Sequence, residues 1–338
     1  MSPDPRPRRA AILLLLVCPL LALGACTAGQ RQPSYPIGQD QAAAVVRSYA
    51  AAWAQVVSRH DLQALARIQT GAALAASTGE LKAREGTGEA APAAPTASEI
   101  KVLVPPSGSR RSPARFLALV TWSSPEAYPD REALEFQRAG PDSPWQIETR
   151  AKLTANTPPP AVAADRDGRA GTVEASKLRF SGRQVVETLS GYYSDEGQGD
   201  DPVASLADTL VAPGPFTSGL VKRRKQSNDS FQFQRQYKYR PGTYRTPAYR
   251  LRQGGGLMLV SLSGTRRMFP KDPNVVTGMQ QDASRQGLGG LVPPGQYTSL
   301  TFHTTMMLAV EVPPAKSRGQ LHVVGIREVD VSIEQGPP

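Results

Sequence analysis

Residues 42–65 read AAAVVRSYAAAWAQVVSRHDLQAL. Val45, Val46, Tyr49, Trp53, Val56 and Val57 recur at helical spacing, so a helix over this stretch carries one apolar face. Alanines at 42–44, 50–52 and 54 favour the helix further, since alanine loses no side-chain entropy on ordering. Asp61 follows as an N-cap, with Leu62, Leu65 and Ile68 on one side of a second short helix. A third helix is expected near Ala72–Arg84.

Downstream, the periodicity changes to that of strands. Ile100–Val104, Arg115–Trp122 (RFLALVTW), Ala133–Arg138 and Trp145–Arg150 read as four strands, the second apolar enough to be central. The last two flank Ala139-Gly140-Pro141-Asp142-Ser143-Pro144, a hairpin turn. Residues 86–98, rich in Ala, Pro and Thr, are expected to loop. Asn156-Thr157-Pro158-Pro159-Pro160 should be extended, because proline blocks both helix and ladder bonding. The chain is therefore divided into an N-terminal domain over 39–155, a Pro-rich linker over 156–172 and a C-terminal domain over 173–338.

The second half repeats the opening. Val185, Val186, Leu189, Tyr193 and Asp201 follow Val45, Val46, Tyr49, Trp53 and Asp61 at one constant offset. Strands are again expected after the helix, at Phe231–Tyr239, Gly256–Leu262, Ser299–Val312 and Leu321–Ile333. Helices followed by runs of strands predict an α+β class: two tandem domains, each with N-terminal helices packed on a curved antiparallel sheet.

An aromatic late in the first helix, an Asp-Leu start to the second, and the Glu135-Phe136-Gln137-Arg138 … Pro144-Trp145-Gln146-Ile147 hairpin resemble the NTF2-like (cystatin-like) superfamily. The residues carrying this resemblance are Tyr49, Trp53, Asp61, Leu62 and Leu65. It implies the curved-sheet fold, and for some members an enzymatic pocket; Tyr49, Trp53 and Asp61 would line one here. Core packing and helix capping account for the same three residues.

The N-terminus sets the expected location. Arg6, Arg8 and Arg9 precede an apolar run from Ala10 to Leu23, shorter than the roughly 20 residues of a membrane span but suited to a signal-peptide core. It ends in Leu23-Gly24-Ala25-Cys26, which resembles the lipobox of bacterial lipoproteins. Residues 1–25 then form a signal peptide, Cys26 takes the acyl anchor, and 26–38 is a polar spacer. Two acyl chains hold a protein stably where one would not. The other cysteine, Cys18, leaves with the signal, so the mature chain contains no disulfide. The hairpin Phe136–Trp145 and the segment Ala212-Pro213-Gly214-Pro215-Phe216-Thr217-Ser218-Gly219 also resemble lipoproteins of high-GC Gram-positive bacteria that carry a domain of unknown function. That resemblance implies location and architecture, and no activity.

Charge is concentrated in one place. Lys222, Arg223, Arg224, Lys225, Arg235, Lys238, Arg240, Arg245, Arg250 and Arg252 stand against a single acid, Asp229, within 222–252. Phe231, Phe233, Tyr237 and Tyr239 alternate with Gln232, Gln234, Lys238 and Arg240, the pattern of a strand with one buried and one wet face. Lys222–Lys225 and Tyr244–Arg252 are expected as loops or neighbouring strands. Lys222, Arg223, Arg224, Lys225, Arg235, Lys238 and Arg240 form the candidate site for an anionic partner: lipid headgroups, where each base near the surface contributes about 1 kcal/mol, a wall polymer, or an envelope protein. Nucleic acid is not expected outside the membrane. The alternative is a solvated sheet face balanced by acids such as Asp195, Glu196, Asp200 and Asp201.

No catalytic constellation is legible. His60, His303 and His322 have no partner at ligand spacing, and strand alternation turns His303 toward water. Gly254-Gly255-Gly256 precedes a strand, so it reads as a turn, not a phosphate cradle. The acidic loop 194–201 lacks the spacing of an EF-hand. Neither a cofactor nor a metal is expected. The sequence points to a lipid-anchored, extracytoplasmic, non-catalytic binding or scaffolding module, with an NTF2-like small-molecule enzyme as the alternative.

Overall fold

The computed structural model describes residues 37–85, 96–105, 114–123, 131–154, 159–166, 168–194, 207–230, 232–244, 248–272, 290–292 and 297–335. Leu23, Gly24, Ala25, Cys26, the acids at 195, 196, 200 and 201, and Arg245 lie outside them.

The opening stretch folds as its periodicity demands. Helix α1 (Gln39–Arg59) buries Ala42, Val46, Tyr49, Ala50, Trp53, Val56 and Val57. It stops at His60, which turns left-handed at φ 52°. Asp61 then caps α2 (Leu62–Ile68), its carboxylate accepting the Gln63 and Ala64 amides at 3.0 and 2.9 Å. Helix α3 spans Gly71–Glu85. Four strands follow: β1 (Ala97–Leu103), β2 (Ala114–Trp122), β3 (Arg131–Arg138) and β4 (Gln146–Leu153).

The second half begins with the two-residue β5 (Thr172–Val173) and α4 (Gly182–Tyr193). Ser181 and Gln184 cap α4 reciprocally, and Val185, Val186, Leu189 and Tyr193 are buried in it as expected. Helix α5 (Ser218–Ser230) precedes β6 (Phe233–Tyr244), β7 (Ala248–Arg250), β8 (Gly256–Pro270), β9 (Leu300–Val312) and β10 (His322–Gln335). Gly254 and Gly255, both at positive φ, turn β7 into β8. The expectation of a loop or strand at Lys222–Lys225 is corrected: these residues lie within α5. Straight-chain Lys, Arg and Gln are good helix formers, and Leu220 and Val221 give the helix an apolar edge against the core.

All ten strands belong to one antiparallel sheet in the order β1-β2-β3-β4-β10-β9-β8-β7-β5, with β6 also on β8. The two expected halves are joined where β4 meets β10, through Leu153↔Gly325 and Lys152↔Ile326. The proline-rich segment is stitched in as well. Ala163 donates its amide to the Arg250 carbonyl at 2.7 Å, and Ala170 donates to that of Val104 at 2.8 Å. Proline lacks a donor, but its neighbours retain theirs.

Among the described residues, four apolar clusters hold this arrangement, the smallest of them joining Phe233, Met268, Leu300 and Phe302. One packs α1–α3 on Phe116, Val120, Leu134, Phe136 and Ile147. A second packs α4 on Met258, Val260, Leu262, Met306, Leu308 and Val310. The alternate residues of these strands meet in a third: Leu117, Leu119, Ala133 and Leu153 from the first half, with Leu257, Leu259 and Ala309 from the second. The sheet thus curves until part of one half faces part of the other, burying both sides of its central strands.

Candidate functional site

The structure divides the seven candidate cations. Lys222, Arg223 and Lys225 are exposed on α5, and Lys238 and Arg240 are exposed on β6. Arg224 and Arg235 point inward. Strand alternation in β6 buries Phe233, Arg235, Tyr237 and Tyr239 and exposes Gln234, Gln236, Lys238 and Arg240. Helix α5 covers the buried side, where the Arg224 guanidinium lies 3.7 Å from the centroid of Tyr237. Lys238 and Arg240 therefore project from the opposite side of the sheet. The expected single strip is two patches separated by a strand.

Arg224 has a structural role that sequence reading missed. Its Nη2 donates to both Glu328 oxygens at 2.8 Å and to the Tyr239 hydroxyl at 3.0 Å, and Nη1 donates to the Tyr193 carbonyl. The Tyr239 hydroxyl donates to Glu328 at 2.5 Å. Burial, reinforced by the Glu328 charge, pushes the Tyr239 hydroxyl well above its ordinary pKa, so the phenol stays protonated and donating. Burial, the largest single influence, would lower the Arg224 pKa, but the charge and hydrogen bond of Glu328 together with Tyr239 and Tyr237 outweigh it, and the guanidinium is held more firmly charged.

The open edge of β6 is occupied too. The Asn228 side chain accepts the Arg235 amide and donates to the Arg235 carbonyl, both at 2.9 Å, imitating a neighbouring strand. Ser194 Oγ accepts the Tyr239 amide at 2.8 Å. Such contacts protect an edge from pairing with another chain. The Asn228-Asp229-Ser230 triplet, which fits a glycosylation sequon, thus spends its asparagine inside the fold.

A second network links the halves. Arg150 and Glu132 form a pair whose side chains are 2% and 0% exposed, with Nη2 donating to both carboxylate oxygens at 2.8 Å. Glu132 also accepts Trp122 Nε1 at 3.0 Å and Arg327 Nη1 at 3.1 Å. Arg327 continues to Glu80 on α3 at 2.5 and 2.7 Å. Burial acts to raise the Glu80 carboxyl, but Arg327 and Arg150 overcome it and hold Glu80 below its usual pKa. One chain of charges thereby crosses β4, β3, β10 and α3.

Tyr49 and Trp53 do come together, stacked at 6.5 Å, and Arg150 sits 5.4 Å above the Trp53 ring. Gln69 Nε2 donates to the Tyr49 hydroxyl at 2.8 Å. Asp61 is elsewhere, exposed and occupied in capping α2. Around the aromatic pair, three buried polar atoms make no hydrogen bond: Trp53 Nε1, Gln69 Oε1 and Arg150 Nη1. At the start of α1 an open cleft of about 410 Å³ is bounded by residues 37–41, Val104 and Arg169. Among the described residues no His, Cys, Asp and Glu group is arranged to hold a metal ion, and no helix is long and apolar enough to cross a membrane.

Residues 36–331, from just before α1 into β10, match a domain of unknown function (DUF8094). The chain belongs to the DUF8094 family. The match covers both halves, in keeping with their shared sheet. No curated protein and no solved structure matches this DUF8094 chain.

Two histidines of the DUF8094 sheet stand beside carboxylates. His303 is exposed as expected, with Nε2 3.6 Å from Glu334. His322 Nδ1 lies 3.4 Å from Glu311, and the hydrogen bond to that carboxylate raises the imidazole pKa above its ordinary value, against an opposing effect of burial. The folded-state pKa thus exceeds the unfolded one. Any stability from this pair is fully present below the unfolded pKa of about 6.5 and disappears as pH rises through the folded pKa. Glu311→Gln should bring the His322 midpoint back toward 6.5 in an NMR titration. A His322 midpoint indifferent to the substitution would show the pairing to be absent in solution.

Proposed function

We propose that this DUF8094 chain is a lipid-anchored, extracytoplasmic binding or scaffolding module whose exposed cations meet an anionic partner of the cell envelope. Cys26, behind Leu23, Gly24 and Ala25, is the anchor in this reading. The observation that carries it is the sorting of the basic segment. Arg224 and Arg235 are spent inside, while Lys222, Arg223, Lys225, Lys238 and Arg240 face water. Water-facing cations concentrated in one part of a chain attract anionic surfaces.

The test has two arms. Cys26→Ala should move the protein from the membrane fraction to the medium. Reversing the five exposed cations to Glu, with Arg224 left intact, should abolish capture by anionic envelope material at physiological salt while circular dichroism is preserved. Retention of Cys26→Ala in the membrane, or unchanged capture by the reversed variant, would each overturn the corresponding half.

The reading extends to descent: we take the halves as tandem NTF2-like modules fused through β4 and β10. Val185, Val186, Leu189 and Tyr193 take positions in α4 like those of Val45, Val46, Tyr49 and Trp53 in α1, which supports this. A second functional reading, small-molecule turnover in the first half, is favoured by the unpaired polar atoms around Tyr49 and Trp53. Turnover abolished by Tyr49→Phe or Arg150→Lys in a folded protein would select it.

A further inference from the structure

The end of the sheet built from β6, β8, β9 and β10 presents an ordered polar surface. The strand register sets it out in rows. Lys238 stands opposite Thr265, Thr265 opposite His303, and His303 opposite Ser332. In the next row Gln236 faces Arg267, Arg267 faces Thr301, and Thr301 faces Glu334. Cross-strand partners point to the same side of a sheet, so these eight side chains share one face. Six of them are exposed, and Thr265 and Thr301 are half-buried. Arg240, also exposed, continues the β6 line beyond Lys238, opposite Ser263.

The chemistry of this face differs from that of α5. Successive outward residues on one strand are about 7 Å apart and neighbouring strands about 4.8 Å apart. Lys238, Arg240 and Arg267 thus form a spaced series of cations, and hydroxyls and amides fill the positions between them. Such spacing suits a ligand whose negative charges repeat and whose intervening groups exchange hydrogen bonds. A single small anion would engage only one member of the series. To a bilayer this face offers electrostatic attraction alone, because its eight side chains are polar and none enters the headgroup boundary as apolar side chains do in interfacial binding. Among the described residues the only large exposed hydrophobic is Tyr244. It packs at α4, where its ring lies against Gly182.

We infer that this sheet face, and not α5, binds a linear phosphodiester polymer with a hydroxylated repeat, laid along β6 and β8 over Lys238, Arg240 and Arg267. The inference rests on the anionic-partner reading above and narrows it to one surface and one chemical class.

The full mature protein should be titrated with poly(glycerol phosphate), with vesicles of equal phosphatidylglycerol and phosphatidylcholine, and with neutral dextran. Lys238→Glu with Arg267→Glu should weaken polymer binding at least about tenfold, whereas Lys222→Glu with Arg223→Glu and Lys225→Glu should change it less than about twofold. Thr265→Val, which keeps every charge, should weaken it by a smaller factor through loss of a hydroxyl. Wild-type protein that binds neither polymer nor vesicles would overturn the anionic-partner reading itself. Loss of polymer binding in the α5 variant alone would overturn the sheet-face assignment and leave that reading standing. Vesicle binding as tight as polymer binding, and equally sensitive to Lys238 and Arg267, would overturn the polymer class.

Discussion

Glu132→Gln is expected to destabilise the protein by about 3–5 kcal/mol, the range for removing one member of a buried ion pair. The pair with Arg150 is almost fully enclosed, and Glu132 also serves Arg327 and the Trp122 indole. A glutamine of the same shape can still accept the indole proton. It leaves Arg150 charged without its counter-ion, in a place where hydration cannot compensate. Arg327 retains Glu80, so Arg150 bears the main loss. The measurement is the shift of the urea unfolding midpoint. Glu99→Gln on the exposed β1 edge is the control, expected to stay within about 0.5 kcal/mol. Equal midpoints for the two variants would mean that the Glu132 pair is not buried in solution. Glu132→Leu with Arg150→Met should cost less than the sum of the two single changes, because each single change strands the partner that the double change removes.

Gly79→Ala is expected to destabilise by about 1–3 kcal/mol, against the roughly 1 kcal/mol that alanine ordinarily gains over glycine inside a helix. The added methyl would stand 2.5 Å from the Asp330 carbonyl oxygen and 2.6 Å from Val331 Cα. Both are backbone atoms of β10 and cannot rotate aside. Helix α3 would have to lift away, pulling Glu80, the next residue, from Arg327. Gly191→Ala in α4 is the matched comparison. No atom lies within 4 Å of its added methyl, so helix propensity should dominate and the melting temperature should rise. If both substitutions raise the melting temperature, the close approach of α3 to β10 is wrong.

These two cases show why part of the fold was legible and part was not. The buried face of α1 follows from residues within one helix, whose spacing is set by 3.6 residues per turn. The Asp61 cap follows from a carboxylate within reach of the next few amides. The alternation in β6 follows from the pleat. Nothing local distinguishes Arg224 from Arg223, since adjacent helical residues carry the same charge on similar stems. Their difference depends on which side of α5 meets Tyr237 and Glu328, the latter 104 residues away. The candidate site was likewise half legible. The concentration of bases could be counted, but whether they share a surface depends on where α5 lies relative to β6.

By itself, then, the sequence determined helices α1–α4, the longer strands, the wet and dry sides of β6, and the segment in which positive charge collects, but not helix α5. Each depends on interactions among residues a few positions apart. Tertiary structure alone decided that the halves share one sheet through Leu153 and Gly325, that Arg224 and Arg150 are internal, and that the exposed bases fall on two separate surfaces. Those outcomes depend on pairings between distant segments. There, burial of apolar area and neutralisation of enclosed charge select one arrangement among many that local preference allows.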